Sequence, residues 1–418
     1  MKPEAGSVAR TKKLYEDQPF LYTFEATVLS CERQDAPFDA CPVGAPFAVE
    51  LDRTAFFPEA GGQPCDAGTL QGEPLYGVEI RDGRILHWLG HALPVGSRVV
   101  GAVDAPTRFA RMQSHTGEHI FSGTAHRLYG IENVGFHMSA DGEMTVDTSA
   151  PLEPDQIARI REEANRVIWD NRLVSVRYPS PKELASLSKL PLFFVEKRLP
   201  LASLSYRSKV ALEGPVRLIE IEDCDLCACC APHVERTGSV GLLYIKSVMK
   251  YKKGMRFTLL CGSYAFAYLN SLASAATAVA HACSARPEEL CSVMEKREAL
   301  LNEKKRELAA LREALVDARL SALSPITGNL CLFEDDMDAT LMRRIINRCI
   351  AQTDGLCGVF TPTEKDGKAC FHYTLAFKSQ SLAPYKNQIL QALGGKGGGK
   401  DNMMTGVAEA DRASINAE

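Results

Sequence analysis

Residues 108–129 read RFARMQSHTGEHIFSGTAHRLY, and this stretch decides the architecture around it. Its apolar side chains recur at intervals that suit one face of a helix, at Phe109, Met112, Ile120 and Leu128. Gly130 follows as a natural stop, so the sequence predicts a helix from Arg108 to Tyr129. Because His115 and His119 are four residues apart, this helix would direct both imidazoles to one side.

The region before this helix consists of short β-type segments. Extended runs occur at Phe24–Leu29, Phe47–Leu51 and Arg98–Val103. Turn signals occur at Gly61-Gly62, Asp82-Gly83 and Val95-Gly96. Alternation of this kind predicts a small β-barrel or sandwich.

The region after the helix mixes both kinds of secondary structure. A second helix is predicted at Pro154–Asn171. The stretch Val174–Cys261 combines strand-like with helical pieces, which indicates an α+β core beside the N-terminal β region.

A long helix is predicted from Pro287 to Leu320, where Glu, Lys, Arg, Leu and Ala predominate. Four apolar residues there follow a seven-residue spacing, namely Met294, Leu301, Leu308 and Leu315. The companion positions include Arg297 and Lys304, so the helix either joins a coiled coil or packs on its own chain.

A further domain is predicted beyond Ser324. Strand-like segments at Gly328–Phe333, Gly355–Phe360 and Tyr373–Phe377 precede a helix and then the segment GGKGGGK at residues 394–400. The segment lacks the lysine–serine ending of a Walker loop.

Composition places the chain among ordinary globular proteins. It has 418 residues, of which 45% are hydrophobic and 24% charged, so two to three domains are expected. The N-terminus has no apolar run that could serve as a signal-peptide core, so we expect a cytoplasmic protein whose cysteines are reduced or bind metal. The net charge of −4 means that any nucleic-acid contact must come from local basic patches.

Two pairs of metal-binding residue types stand out. His115 and His119 form the first pair, and Cys229 and His233 repeat the four-residue interval in CACCAPHV at residues 227–234. Together they supply the four nitrogen and sulfur ligands of a tetrahedral zinc site. The nearby Cys224, Cys227 and Cys230 leave open another ligand or a second site, and a buried structural cysteine cluster or a purely structural zinc is the alternative.

These motifs resemble those of the alanyl-tRNA editing proteins, AlaX-like relatives of the editing domain of alanyl-tRNA synthetase, in the long form with a C-terminal extension. The family's His-x-x-x-His motif matches His115 and His119, and its Cys-x-x-x-His motif, with a following Thr-Gly turn, singles out Cys229 with His233. The family's glycine motif matches TAFFPEAGGQP at residues 54–64, and its Gly-Phe-His segment matches residues 135–137. Nearly the whole chain is covered by the resemblance.

The resemblance implies an α+β fold of four parts. Residues 1–105 would be an N-terminal small β-barrel with the glycine motif, and residues 106–270 a zinc-containing α+β editing core. Residues 271–324 would be a long helical linker, and residues 325–418 a C-terminal α/β DHH-associated domain. The linker and the C-terminal domain would then be the means by which the chain forms a homodimer.

The resemblance also implies a trans-editing hydrolase with a zinc cofactor, which removes serine, and also glycine, from wrongly charged tRNA for alanine. Thr54 would recognise the serine hydroxyl, and Gln63 would line the pocket. The chain departs from the family at Ala60, where a third glycine is usual, and at Ala231-Pro232, where Gly-Thr is usual. The proline removes a hydroxyl and a backbone donor beside the metal.

Two residues near these motifs have open roles. His137 either meets the tRNA terminus or satisfies a hydrogen bond within the fold. Glu118 either acts as a base beside the metal or is a solvated helix carboxylate.

A basic run is the candidate contact to tRNA. Lys246, Lys250, Lys252, Lys253 and Arg256 occur within eleven residues that contain no acid. Such a run neutralises phosphates or is simply a solvated hairpin. The glycine and lysine segment at 394–400 similarly either cradles phosphate through its backbone amides or is a flexible loop.

Two other functions fit parts of the sequence. The sequence His-Thr-Gly-Glu-His at 115–119 also matches the motif of an inverted zincin metalloprotease. That interpretation needs a downstream glutamate ligand and leaves the Cys229 motif unexplained. A non-catalytic tRNA-binding module with a structural zinc is the second alternative.

Overall fold

The computed structural model describes residues 11–34, 46–180, 183, 216–321, 327–365 and 368–417. Part of the mixed region predicted after Val174, residues 184–215, therefore lies outside the described residues. The chain divides into two compact units, one up to Ala276 and the other from Thr277. No helix of the described residues is long and apolar enough to cross a membrane.

The helices of the described residues include the two that the sequence predicted at Arg108–Tyr129 and Pro154–Asn171. In chain order they are α1 Leu14–Asp17, α2 Ala105–Tyr129, α3 Pro154–Trp169, α4 Gly262–Ala282, α5 Leu290–Ser321, α6 Ala339–Gln352, α7 Lys386–Leu393 and α8 Arg412–Ala417. The predicted helix at Arg108 is confirmed and begins three residues earlier, because the Asp104 side chain caps it by accepting from the Thr107 N–H. It ends where predicted, since Gly130 takes the left-handed conformation with φ +66°.

The N-terminal strands form a seven-stranded sheet and a small two-stranded one. The strands are β1 Lys12–Lys13, β2 Thr23–Arg33, β3 Phe47–Leu51, β4 Arg53–Thr54, β5 Gly68–Leu70, β6 Glu73–Pro74, β7 Gly77–Arg81, β8 Arg84–Leu89 and β9 Arg98–Val103. The large sheet has the order β6-β5-β9-β2-β3-β8-β7. Its end strands β6 and β7 are not paired with each other in the described residues, so a closed barrel is not confirmed.

The second half of the first unit holds two further sheets. The strands are β10 Asn133–Met138, β11 Met144–Thr148, β12 Val174–Arg177, β13 Leu218–Ile221, β14 Asp225–Ala228, β15 Leu243–Tyr251 and β16 Gly254–Cys261. They pair in the orders β10-β11-β16-β15 and β12-β13-β14. Helix α2 shares a core with α3 and the four-stranded sheet, in which Phe121 packs 5.0 Å from Phe257, measured between ring centroids. The mixed α+β interpretation is therefore confirmed for this region.

The second unit is a mixed sheet with helices packed against it. Its strands are β17 Leu330–Phe333, β18 Leu356–Lys365, β19 Lys368–Phe377, β20 Lys396–Lys400 and β21 Met403–Ala408, in the order β17-β18-β19-β21-β20. The glycine-rich residues 396–400 are thus an edge strand and not a flexible loop.

Among the described residues of its unit, the long helix α5 is buried near its C-terminal end. Val316 is buried with α6, and Arg344 and Arg348 of α6 form ion pairs with Glu313 and Asp317. The four residues at seven-residue spacing are instead 48–54% exposed, so α5 does not bury that seam against the described part of its own chain.

Candidate metal centre

Four side chains converge at the junction between α2 and the loop after β14. The ligand atoms of His115, His119, Cys229 and His233 all lie within 4.8 Å of one another. Cys229 Sγ is 3.4 Å from His115 Nε2 and 3.4 Å from His233 Nε2. The three histidines are at most 4% exposed. The structure thus brings together the two pairs that the sequence singled out, which are 110 or more residues apart.

Each imidazole is held by a partner on its outer nitrogen. His115 Nδ1 donates to Gln63 Oε1 over 2.7 Å, and His119 Nδ1 donates to Asp225 Oδ2 over 2.9 Å. His233 Nδ1 is 3.1 Å from the Thr116 hydroxyl oxygen. With the proton on Nδ1, the lone pair of each Nε2 is directed to the shared centre, as metal-binding histidines require.

The electrostatics of the centre favour a cation. Burial alone would raise the pKa of the Cys229 thiol, but His115 and His233 lower it well below its usual value. Burial lowers the pKa of His233 to about 3, which keeps that ring neutral. For His119 the hydrogen bond to Asp225 and the Cys229 sulfur outweigh burial and raise the pKa to about 10. The lowered pKa favours a thiolate at Cys229, and a cation that replaces the His119 proton would meet one thiolate and three imidazoles, a donor set that suits zinc.

Two glycines of α2 allow the close packing that builds the centre. A Cβ at Gly123 would lie 2.7 Å from the Asp225 Cβ and 2.7 Å from the Cys224 carbonyl oxygen. A Cβ at Gly117 would lie 2.3 Å from Cys261 Sγ. Strand β14 can therefore approach α2 closely enough for Asp225 to reach His119.

The glycine motif forms the turn that brings Gln63 to His115. Gly61 and Gly62 have φ values of +61° and +81°, which favour glycine. The Gly62 carbonyl accepts from the Met138 N–H over 2.7 Å, so the turn rests on β10. Ala60 is not among the residues with positive φ, which explains why alanine is tolerated there.

A buried ion pair ties the glycine motif to α2. Arg108 is 0% exposed and its Nε lies 3.0 and 2.9 Å from the two oxygens of Asp66. Asp66 also accepts from the Phe57 N–H over 2.6 Å. Sequence reasoning missed this pair, since its members are 42 residues apart and neither is part of a ligand motif.

The loop that carries Cys229 is held by a second arginine. Arg217, 8% exposed, donates to the carbonyl oxygens of Cys229 and Ala231 over 2.8 and 3.1 Å. The Ala231 N–H lies 3.4 Å from Cys229 Sγ. The loop thus keeps a backbone donor on the sulfur although Pro232 has none.

The neighbouring cysteines take different places. Cys230 is exposed and is not part of the four-residue group. Cys227 lies with His119 and Asp225 in an overlapping group of possible ligands. Cys224 is buried, and its thiol lies 3.7 Å from the Ile120 carbonyl oxygen.

Glu118 is buried beside the centre. It is 3% exposed, accepts from the Ser122 hydroxyl over 2.6 Å and is hydrogen-bonded to Asn133. Its Oε2 lies 3.9 Å from His119 Nε2. The interpretation of Glu118 as a solvated helix carboxylate is therefore wrong.

Thr54 and His137 differ in burial: Thr54 is buried and His137 is exposed. Thr54 is 0% exposed on β4, and its hydroxyl contacts His87 Nε2 at 2.8 Å. His137 is exposed on β10 next to Phe136, whose ring packs 5.0 Å from that of His115. Among the described residues the His137 side chain has no hydrogen-bond partner, so a role in satisfying the fold is not supported.

The basic run forms a hairpin in which two of the five cations are paired. Lys246 contacts Glu143, and Arg256 binds both oxygens of Asp147 over 2.6 and 2.7 Å. The remaining Lys250, Lys252 and Lys253 are exposed at and beside the turn between β15 and β16. The basic run thus forms a hairpin, and the sequence could not show that acids of β11 and its preceding turn neutralise part of it.

Comparison with known proteins finds that the chain is similar to tRNA-related proteins. The family described as "Threonyl and Alanyl tRNA synthetase second additional domain" matches residues 216–257, which include Cys229 and His233. An alanine–tRNA ligase of Ignicoccus hospitalis is 27% identical over 414 residues, and the match covers 97% of this chain and 42% of the ligase. The chain thus spans about two fifths of the ligases that it matches.

A second relative has nearly the same length as this chain. The alanyl-tRNA editing protein Aarsd1 of Mus musculus is 28% identical over 394 residues, covering 92% of this chain and 91% of that protein. A solved C-Ala domain of Aquifex aeolicus alanyl-tRNA synthetase matches 21% of this chain at 12% identity with a TM-score of 0.18, too low to support any inference. The resemblance to the AlaX-like alanyl-tRNA editing proteins is confirmed.

Proposed function

We propose that the chain is a zinc-dependent deacylase that frees tRNA for alanine from a wrongly attached serine, and also from glycine. The observation that carries the proposal is the convergence of three Nε2 atoms and one thiolate sulfur, with every outer imidazole nitrogen already bonded to the protein. The names of the relatives, which concern alanyl-tRNA ligation and editing, supply the substrate class.

In this proposal His115, His119, Cys229 and His233 hold the zinc. Their donor set of three imidazoles and one thiolate fits zinc and suits magnesium or calcium poorly. When bound, the metal supplies positive charge that orients the aminoacyl group or polarises its ester.

Gln63 has a second function in this proposal. Because its Oε1 accepts from His115, its Nε2 is a donor, and that atom is buried without a partner among the described residues. An unpaired buried donor costs about 1–3 kcal/mol, which a ligand oxygen would recover. We assign to Gln63 Nε2 a hydrogen bond to the carbonyl oxygen of the aminoacyl ester.

The need for such an enzyme follows from size. A pocket shaped for alanine admits glycine, which is smaller, and rejects the single added hydroxyl of serine only weakly. A second site that hydrolyses the wrong esters corrects both errors, and Thr54 selects serine there through its hydroxyl.

The remaining parts of the chain serve tRNA binding and assembly in this proposal. Lys250, Lys252, Lys253 and Arg256 contact phosphates of the tRNA. Residues 1–105 and 106–270 form the barrel and editing core, 271–324 the helical linker and 325–418 the DHH-associated domain. The exposed seam of α5 and the C-terminal domain form a homodimer.

The two other functions have less support. For an inverted zincin, Glu118 would be the base, but Cys229 and His233 then have no role in the protease motif. A structural zinc would leave Gln63 Nε2 without a partner.

Two adjacent cysteines give a matched test. Cys229→Ala should lower zinc content, measured by elemental analysis, and abolish most seryl-tRNA deacylation, because one of four ligands is lost. Cys230→Ala is the control and should retain both. Full zinc content with unchanged deacylation in Cys229→Ala would refute the proposed ligand set.

A further inference from the structure

A buried chain of hydrogen bonds connects the backbone of β3 to Thr54. His87 and Thr54 are both 0% exposed. His87 Nδ1 lies 3.0 Å from the Val49 carbonyl oxygen, and His87 Nε2 lies 2.8 Å from Thr54 Oγ1. The Phe56 N–H donates to the same Oγ1 over 3.1 Å.

The direction of each bond in this chain is determined. A carbonyl can only accept, so the proton on His87 is at Nδ1 and points to Val49. Burial lowers the pKa of His87 to about 4, so the ring is neutral at neutral pH and Nε2 is an acceptor. Thr54 must therefore donate its one hydroxyl proton to His87.

The Thr54 hydroxyl oxygen then has one hydrogen-bond acceptor position left. Its proton goes to His87 and one lone pair receives the Phe56 N–H. One lone pair is left, and it can accept a hydrogen bond but cannot give one.

We propose that His87 is a positioning residue that makes Thr54 an obligate hydrogen-bond acceptor, so that the site selects aminoacyl groups whose side chain carries a hydroxyl donor. The inference rests on the proposed function, because it concerns how Thr54 recognises serine. The serine hydroxyl can donate to this lone pair, whereas alanine and glycine have no donor. Without His87 the Thr54 proton could rotate toward the substrate, and the preference would weaken.

Two replacements separate the hydrogen bond from the packing. His87→Phe keeps a ring beside Phe56, whose centroid is 5.8 Å from that of His87, but removes the acceptor. His87→Gln restores an acceptor for Thr54 and a donor for Val49. The measured quantity is the ratio of seryl-tRNA to glycyl-tRNA turnover at equal zinc occupancy.

Thr54→Val should lower this ratio about tenfold to a hundredfold, because the serine hydroxyl then faces a methyl group. His87→Phe should lower it about threefold to tenfold, and His87→Gln should recover most of the loss. The double variant Thr54→Val/His87→Phe should fall no further than Thr54→Val alone, since both changes remove the same interaction. His126→Gln, on the last turn of α2, is the control and should leave the ratio unchanged.

The outcomes distinguish the role of Thr54 from the role of His87. An unchanged ratio in Thr54→Val would overturn the role of Thr54 in the proposed function. A lowered ratio in Thr54→Val with a wild-type ratio in His87→Phe would overturn the inference about His87 alone. If His87→Phe lowered seryl-tRNA and glycyl-tRNA turnover by the same factor, the ratio would not change, and His87 would have only a structural role.

A measurement on the wild-type protein does not depend on whether the variants fold. Nitrogen NMR of the folded protein should show His87 neutral with its proton on Nδ1. A proton on Nε2, or a charged ring at neutral pH, would overturn the inference.

Discussion

Each histidine of the candidate metal centre has one ring nitrogen bonded to the protein and the other directed to the shared centre. The partners on the outer nitrogens differ in kind: an amide from Gln63, a carboxylate from Asp225 and a hydroxyl from Thr116. A carboxylate strengthens the ligand most, since it raises the basicity of the ring that it holds. His119 should accordingly be the ligand most sensitive to its partner.

Asp225→Asn should lower zinc affinity about tenfold to a hundredfold, which is the usual effect of removing such a partner. The neutral amide no longer favours the Nδ1 proton that directs Nε2 to the metal. Competition with a chelator measures the affinity. Glu222→Gln, a charge loss three residues away, is the control, and equal affinities for Asp225→Asn and wild type would contradict the assignment.

Gln63→Glu separates the two functions assigned to that side chain. A carboxylate still accepts from His115, so zinc content should persist, but the donor to the ester carbonyl is lost. Deacylation at full zinc occupancy should fall about 10²–10³-fold, the range for the loss of one oxyanion-type donor. Wild-type turnover in Gln63→Glu would remove the carbonyl contact from the mechanism.

At the scale of the element, helix α2 could be predicted and its surroundings could not. Its apolar period, its glycine stop and the four-residue spacing of its histidines are local in sequence. The partners that orient those two histidines come from 52 and 106 residues away. Spacing along one element carries no signal for such contacts, and the two ligand pairs were linked only by their ligand chemistry and by the resemblance to a family.

The glycine-rich strand β20, unlike helix α2, could not be predicted from its local sequence. Its composition left open a phosphate-cradling segment or a flexible loop and did not indicate a strand, yet residues 396–400 pair with β21 at the edge of the sheet. Gly397 is required there, because a Cβ would lie 1.9 Å from the hydroxyl oxygen of the buried Tyr373. The Tyr373 side chain of β19, two strands away in the sheet, thus takes the space that a side chain at residue 397 would otherwise fill.

The hairpin of β15 and β16 should contribute to tRNA affinity mainly through its unpaired lysines. Replacing Lys250, Lys252 and Lys253 by glutamine should weaken binding and reduce the slope of log affinity against log salt by about 0.7–0.9 for each phosphate that is no longer neutralised. The turnover rate at saturating aminoacyl-tRNA should change little. Lys246→Gln is the control, since Glu143 already pairs with that lysine. An unchanged salt dependence in the triple variant would show that tRNA lies elsewhere.

For the whole molecule, the two compact units separate the ligand residues from the long helix. All four residues of the centre, Gln63 and Thr54 lie before residue 277. The fold of the first unit brings Gln63, from its N-terminal half, and Cys229, from its C-terminal half, to His115 of helix α2. The proposed chemistry thus depends on the first unit as a whole and not on either half.

Deacylation with metal-depleted and zinc-restored protein tests the central claim most directly. Seryl-, glycyl- and alanyl-tRNA for alanine are each incubated with the full chain before and after chelation and again after zinc is returned. We expect hydrolysis of seryl-tRNA and, to a lesser extent, glycyl-tRNA, loss of both on chelation, recovery with zinc, and sparing of alanyl-tRNA throughout. Hydrolysis that survives verified zinc removal, or a fully zinc-loaded protein that leaves all three esters intact, would contradict the account.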